Sequence, residues 1–437
     1  MKFSCPIEYT NPRMRTRVWT IAGCCAALLL VRVVAVSIVL DGRATTGRQA
    51  VLLGDVRRYH RIAATPGTPY ADYAVEYPPL TLAAIDALDG GTLRQTTERV
   101  IWSQVALDGV VALLLAWGWG RRAALAYLVI GLAFAWYPFL YLRLDLLSVA
   151  LAVGALALIR RHRPVVGGAT LALACFAKVW PVAVIPLLVV RRAWRALAAF
   201  VAVGVAGLTA WIAWAGTDGP VQVLTFRGAT GWQIESTIGA VVHVFATAEA
   251  RMQRGADRIG VVPDVLRVGL PLLGLAAAVG VAWLLWRIRS AGVPIVDGVA
   301  PLAAVAMILV FPTLLSPQYI AWLLPFAAIA VAGGERLIGW LTGVVALLST
   351  LGFNLVKEVN HGVPIAMAVV VARNLALLVL AAVAVTRLVR LARVVAAPVT
   401  LELRPLREPV ARPRDLVPDL LGSADGRPDD RRTGARA

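Results

Sequence analysis

Apolar stretches of helical length alternate with short polar clusters along nearly the whole chain. A helix needs about 20 apolar residues to cross a hydrocarbon core. Runs near that length occupy 18–40, 100–119, 122–141, 144–159, 195–215, 264–286, 296–314, 318–333, 337–355 and 363–386, which predicts ten crossings. Between Arg163 and Arg191 the apolar run is too long for one ordinary crossing and too short for two. Both of its ends are basic, so the chain must return to the side it left. That predicts a hairpin of two short helices, re-entrant in character, with Ala177-Lys178-Val179 at the apex and Pro181 starting the second arm. Non-helical backbone at such depth persists only inside protein or facing water. The expected fold is thus an all-α polytopic membrane protein of about twelve segments. Residues 80–88 add a short interfacial helix, because a crossing there would be too short and would break the alternation.

Composition supports this class. Of 437 residues, 59% are hydrophobic and 16% charged, and the mean hydropathy is +0.75, too little polar surface for a soluble globule. A net charge of +18 would suit nucleic acid, but most arginines sit in clusters between apolar runs, where they orient helices in a bilayer. Arg13, Arg15 and Arg17 precede the first run and no small-residue cleavage site follows it, so that run reads as an anchor and residues 1–17 as a cytoplasmic N-terminal segment. From there Arg121/Arg122, Arg160/Arg161/Arg163, Arg191/Arg192/Arg195, Arg287/Arg289, Arg336 and Arg387/Arg390/Arg393 all fall on the cytoplasmic side. Cys5, Cys24, Cys25 and Cys175 have neither CxxC spacing nor a neighbouring histidine, which indicates no disulfide framework and no metal site.

With that topology the unusual polar residues gather on the opposite face. There lie the loops 41–99 and 217–262, "YLRLD" at 141–145, the Lys178 apex, "SPQY" at 316–319 and "KEVNHG" at 357–362. Arg32 and Asp108 fall inside apolar runs and are expected to pair within the bundle.

The first external loop is the richest in chemistry. In "GDVRRYHRIAATPGTPYADYAVEYPPL", Asp55 is followed by Arg57, Arg58 and Tyr59, then by Tyr70, Asp72, Glu76 and Tyr77. The double proline holds Tyr77 extended and presets a helix start, leaving Glu76 near its positive end. A carboxylate beside several guanidiniums suits sugar transfer from a phosphate donor: the carboxylate takes a hydroxyl proton, and arginine meets the charge growing on the departing phosphate. The plainer reading is a solvated loop whose arginines meet lipid headgroups.

The other candidates also carry two readings. Arg143 and Asp145 stand two apart and cannot face each other along a helix, so each serves either the site or a structural pair elsewhere. Lysine occurs three times against forty arginines, yet Lys178 and Lys357 both reach the external side; a lysine buried in a membrane carries function or pairs with a carboxylate. Gln318 and Tyr319 belong either to the site or to an ordinary helix start at Pro317, with Trp322 in an interfacial belt. Trp232 and Glu235 would line a sugar or anchor the loop, and His361 is a lone loop histidine.

"GDVRRYH", "PYADYAVEYPPL", "FAKVWPVAVIPLL" and "LSPQYIAWLLP", in this order and at these intervals, resemble the polyprenyl-phosphate-sugar-dependent membrane glycosyltransferases of the GT-C class. Within that class the chain is most similar to glycosyltransferase family 87, the bacterial α-mannosyltransferases, over roughly residues 18–390. The resemblance implies a GT-C fold in one catalytic domain over 18–395, inverting transfer from polyprenyl-phosphate-mannose to a glycolipid or cell-envelope glycan, and no cofactor or metal. It places the family's catalytic aspartate at Asp55. Arg57, Arg58 and Lys178 are expected to hold the donor phosphate, and the remaining candidates to bind substrate. Arabinose enzymes share such motifs, so arabinosyl transfer is the alternative, together with a lipid-linked glycan polymerase or ligase.

A lipid flippase or transporter would need internal repeats and charges lining a path across the bilayer; the chain shows no repeat, and its polar residues collect on one side. From about residue 396 the sequence turns rich in Pro, Arg and Asp, which predicts a disordered cytoplasmic tail over 396–437. The expected location is the plasma membrane, with both termini in the cytoplasm and the site outside it.

Overall fold

The computed structural model describes residues 12–40, 53–136, 138–225, 228–245, 250–290 and 297–396. The start of the N-terminal segment, the loop at 41–52 and the tail from 397 lie outside the described residues.

Among the described residues, six helices are long and apolar enough to cross a membrane: Thr20–Ile38, Leu93–Trp119, Trp194–Ala215, Asp264–Ile288, Arg336–Asn354 and Pro364–Arg393. Several carry large apolar side chains on open faces, such as Leu30, Val31 and Val34 on the first and Val201, Val205 and Trp214 on the third. The other apolar runs are shorter or broken. Residues 122–141, expected as one crossing, divide into Arg121–Ile130, Leu132–Trp136 and a 3₁₀ helix Pro138–Leu142. The run at 296–314 is helical over Val299–Val310, and that at 318–333 begins as a 3₁₀ helix, Pro317–Trp322, before Leu324–Ala332. These pieces are largely buried, which is where interrupted helices satisfy their backbone groups.

The hairpin takes the expected form: Pro164–Ala177, then Lys178 with extended backbone, then Trp180–Val184 and Ile185–Val190. Its first arm lies so close to Trp194–Ala215 that a methyl group at Gly168 would collide with the Ala196 carbonyl. The short helix Pro79–Leu88 is tied to the apex, the Thr81 hydroxyl donating to the Ala177 carbonyl. A feature not anticipated from the sequence is a three-stranded antiparallel sheet in the 217–262 loop, ordered Trp232–Gln233, Ala256–Ile259, Arg251–Gln253. Arg254 and Gly255, both at positive φ, form the two-residue turn of its hairpin, as strand twist favours.

Two ends of the bundle differ in chemistry. At one, Asp297 accepts from Trp119 Nε1 (2.9 Å) and Arg160 Nη1 (2.7 Å) and pairs with Arg191. Arg387 meets Glu335 at 3.2 Å. Arg160, Arg191 and Arg387, from three of the basic clusters read from the sequence as lying on one side, take part in these pairs. The helix Asp145–Arg160 runs from that end to the polar residues at the other.

Between the ends, Arg32 Nε meets Asp108 Oδ2 at 2.7 Å, as expected, and the hydroxyls of Tyr127 and Tyr141 complete the carboxylate's partners. Removing one partner of such a buried pair costs about 3–5 kcal/mol. Arg32→Met is therefore expected to lower the thermal unfolding midpoint in detergent markedly, and Arg32→Met combined with Asp108→Asn to lower it less. A double variant no more stable than the single one would show that the charge pairing is not the source.

Candidate active site

The helix Gly54–Ala64 buries Val56, Tyr59 and Ile62 and carries Asp55 in its first turn, where a carboxylate complements the positive helix end. Asp55 pairs with Arg143, whose guanidinium lies 5.9 Å from the centre of the Phe353 ring. Arg58 pairs with Glu76 and lies over the Tyr77 ring at 5.7 Å, and Tyr77 meets Tyr59 edge to face at 5.6 Å. Glu76, three residues before the helix Pro79–Leu88, has this arginine as its ion-pair partner. Burial, then the nearby Asp55 charge, pushes the Tyr59 hydroxyl well above the ordinary tyrosine range. Burial and then Glu76 do the same for Tyr77, so both phenols stay protonated at neutral pH. Arg57 is exposed on the same helix.

The apex of the hairpin brings Lys178 to the same place. Its ammonium donates to Asp145 Oδ1 at 2.7 Å and lies over the rings of Tyr319 (4.9 Å) and Trp322 (5.5 Å). A 3₁₀ helix eclipses residues three apart, which is why Tyr319 and Trp322 stack, with centroids 4.3 Å apart. Trp180 stacks in turn on Trp322 at 5.4 Å. The two indoles find their acceptors one helical turn apart: Trp322 Nε1 donates to Asp145 (2.8 Å) and Trp180 Nε1 to Ser148 (2.9 Å). Arg143 and Asp145, two residues apart in the chain, draw Asp55 on one side and the lysine with its aromatic wall on the other into one site.

The structure therefore brings together Asp55, Arg58, Tyr59, Glu76, Tyr77, Arg143, Asp145, Lys178 and Tyr319. Gln318 sits beside them, taking a bond from Ser316. The remaining candidates occupy other settings. The Tyr70 hydroxyl donates to the Tyr77 carbonyl and its ring packs on Trp211 (5.6 Å), while Asp72 accepts from the Thr68 N–H (2.6 Å), so both shape the loop. Trp232 is buried in a second apolar cluster with Ile234, Ile259 and Val359. Glu235 pairs with Arg373 at 3.4 Å; burial raises the Glu235 pKa and the arginine opposes this. Lys357 is exposed on the short helix Val356–Asn360, whose Val359 is buried in that cluster, and His361 Nδ1 lies 2.7 Å from the Lys357 carbonyl. Gln233, the amide of the Trp232–Ser236 stretch read as a sugar lining, links this region to the site by accepting from the Leu315 N–H (3.2 Å). Trp180, Ser148 and Phe353 were missed; the three-residue spacing of Tyr319 and Trp322 was the one signal on offer.

A carboxylate, a half-buried ammonium and stacked aromatic rings within a membrane bundle can hold a phosphate-linked sugar and deprotonate a hydroxyl. The sequence model of glycosyltransferase family 87 matches residues 76–317. The chain belongs to glycosyltransferase family 87. It is a membrane glycosyltransferase, as the resemblance of its motifs implied. The segment that defines this family 87 member includes Glu76, Arg143, Asp145 and Lys178, while Asp55 lies before it and joins it through Arg143. No curated protein matches the chain.

Proposed function

We propose that this family 87 enzyme transfers mannose from polyprenyl-phosphate-mannose to a glycolipid or cell-envelope glycan on the extracytoplasmic face of the plasma membrane. The reading takes the chain as a GT-C bundle of about twelve membrane segments with both termini in the cytoplasm. The observation that carries it is the pairing of functions in one site: a carboxylate, Asp55, and a separate ammonium, Lys178, set against an aromatic wall at the end of the bundle opposite the basic clusters.

In this reading Asp55 takes the proton from an acceptor hydroxyl as its oxygen bonds to the sugar's anomeric carbon. The bond from that carbon to the phosphate oxygen breaks, and its electron pair leaves with the polyprenyl phosphate. A single displacement of this kind inverts the anomeric centre. Lys178, with Arg57 and Arg58, meets the phosphate charge, and the prenyl chain lies between helices. Neutral Tyr59 and Tyr77 and the ring of Tyr319 would contact the sugars, with Gln318 beside them.

Membranes containing the enzyme are expected to move radiolabelled mannose from polyprenyl-phosphate-mannose onto endogenous lipid. No transfer with that donor, and transfer with polyprenyl-phosphate-arabinose, would reassign the sugar. No transfer from either would overturn the reading of the donor.

A further inference from the structure

The turn that enters the helix Asp145–Arg160 sends three alternate residues to three different polar partners. Tyr141 donates to Asp108 (2.7 Å), Arg143 pairs with Asp55, and Asp145 accepts from Lys178 (2.7 Å) and Trp322 (2.8 Å). Side chains two apart diverge, so Arg143 and Asp145 do not neutralise each other and each reaches a separate element. The turn is also fixed from behind. Tyr141 is held by the carboxylate that Arg32 and Tyr127 lock in the bundle, the neighbouring Phe139 ring stacks on Phe353 at 4.4 Å, and Arg143 is 6% exposed.

We propose that this Arg143-Leu144-Asp145 turn is the positioning element of the site: Arg143 orients the Asp55 carboxylate and Asp145 orients the Lys178 ammonium. The two anchor points are two residues apart in the chain and so at most about 7 Å apart. One rigid segment then sets the distance between the base and the cation that meets the donor phosphate. The inference rests on the roles of Asp55 and Lys178 given above. It makes Arg143 and Asp145 positioning residues that act through others, in place of the direct substrate contacts expected from the sequence.

The test is a kinetic split between two residues that are chain neighbours. With the polyprenyl-phosphate sugar that supports transfer, kcat is counted per donor-binding site, so that loss of folded protein does not imitate a slower enzyme. A misplacement near 1 Å costs about 100-fold in rate, so Arg143→Gln is expected to lower kcat by about that factor with donor KM unchanged. Arg143→Lys, which keeps the charge, is expected to recover part of the loss; should Arg143→Gln fail to fold, this variant carries the test by itself, and a wild-type kcat in it would overturn the proposal. Asp145→Ala is expected to raise donor KM about tenfold, roughly one charge-assisted contact, with kcat at saturating donor little changed. A lowered donor KM would show that Asp145 merely competes with the phosphate for Lys178, and a kcat per site near wild type in Arg143→Gln would show that Asp55 needs no orienting partner; either result overturns the proposal. Asp55→Asn measured alongside separates the two levels. Full transfer in that variant removes the base itself, whereas an inactive Asp55→Asn beside a normal Arg143→Gln removes the positioning role alone.

Discussion

Asp55→Asn is expected to transfer sugar at about one thousandth of the wild-type rate, within the 10²–10⁴-fold that a general base contributes. The substitution keeps the shape of the side chain and an oxygen for Arg143 but removes the proton acceptor. Asp55 stands in the first turn of Gly54–Ala64 with its side chain 30% exposed, so the fold loses the charge of its pair with the buried Arg143, though not the contact, together with a favourable charge at a helix start. The helix-end part of that loss amounts to about 0.3–1 kcal/mol. Transfer and the thermal unfolding midpoint should therefore separate, the first collapsing while the second falls only in part because Asn keeps an oxygen for Arg143. Donor binding should also survive, because the phosphate is assigned to other residues. Wild-type transfer by this variant would remove Asp55 from the chemistry.

Lys178→Ala is expected to raise donor KM by about 10–100-fold, since a hydrogen bond to a charged group contributes about 1.5–3 kcal/mol and each 1.4 kcal/mol is about tenfold in affinity. A second effect must be kept apart from it. The lysine is also the cationic partner of Asp145, a residue 2% exposed, and its loss leaves that carboxylate with the neutral Trp322 indole as a donor in place of a cation. An unpaired buried charge destabilises. Combining Lys178→Ala with Asp145→Asn removes the stranded charge, and is expected to restore thermal stability without restoring donor affinity. Unchanged saturation by donor in Lys178→Ala would count against the phosphate role whatever the stability.

These roles were only half legible in the sequence. The hairpin was, because basic residues at both ends of one apolar run force a return, and the apex fell on Ala177-Lys178-Val179 as expected. So was the pairing of Arg32 with Asp108, since isolated charges within apolar runs have little else to meet. The partners of Arg143 and Asp145 were not. Both a structural pair and a site role were open for each, and the structure shows ion pairs that lie within the site, so the two readings merge. For Trp322 an interfacial belt and a place in the site were both open. It stacks on Tyr319 because the segment after Pro317 winds as a 3₁₀ helix, a difference in pitch that hydropathy does not register.

By itself the sequence determined the class of protein, the clustering of arginines at one end, the separation of polar stretches from them and the family to which the chain belongs. Each of these follows from local chemistry: apolar length, charge beside an apolar run, or a short motif read in order. The tertiary structure decided which polar stretches meet. Lys178 reaches Asp145 from 33 positions away and Trp322 reaches it from 177, contacts set by how short, interrupted helices pack inside longer ones. It also buried Trp232 in a second apolar cluster and left Lys357 exposed on the short helix whose Val359 packs there. Pattern along the chain fixes which side of a helix is apolar and how far it runs. Only packing fixes which buried charge finds which partner, because a buried charge takes whatever complementary group the fold brings within hydrogen-bond reach.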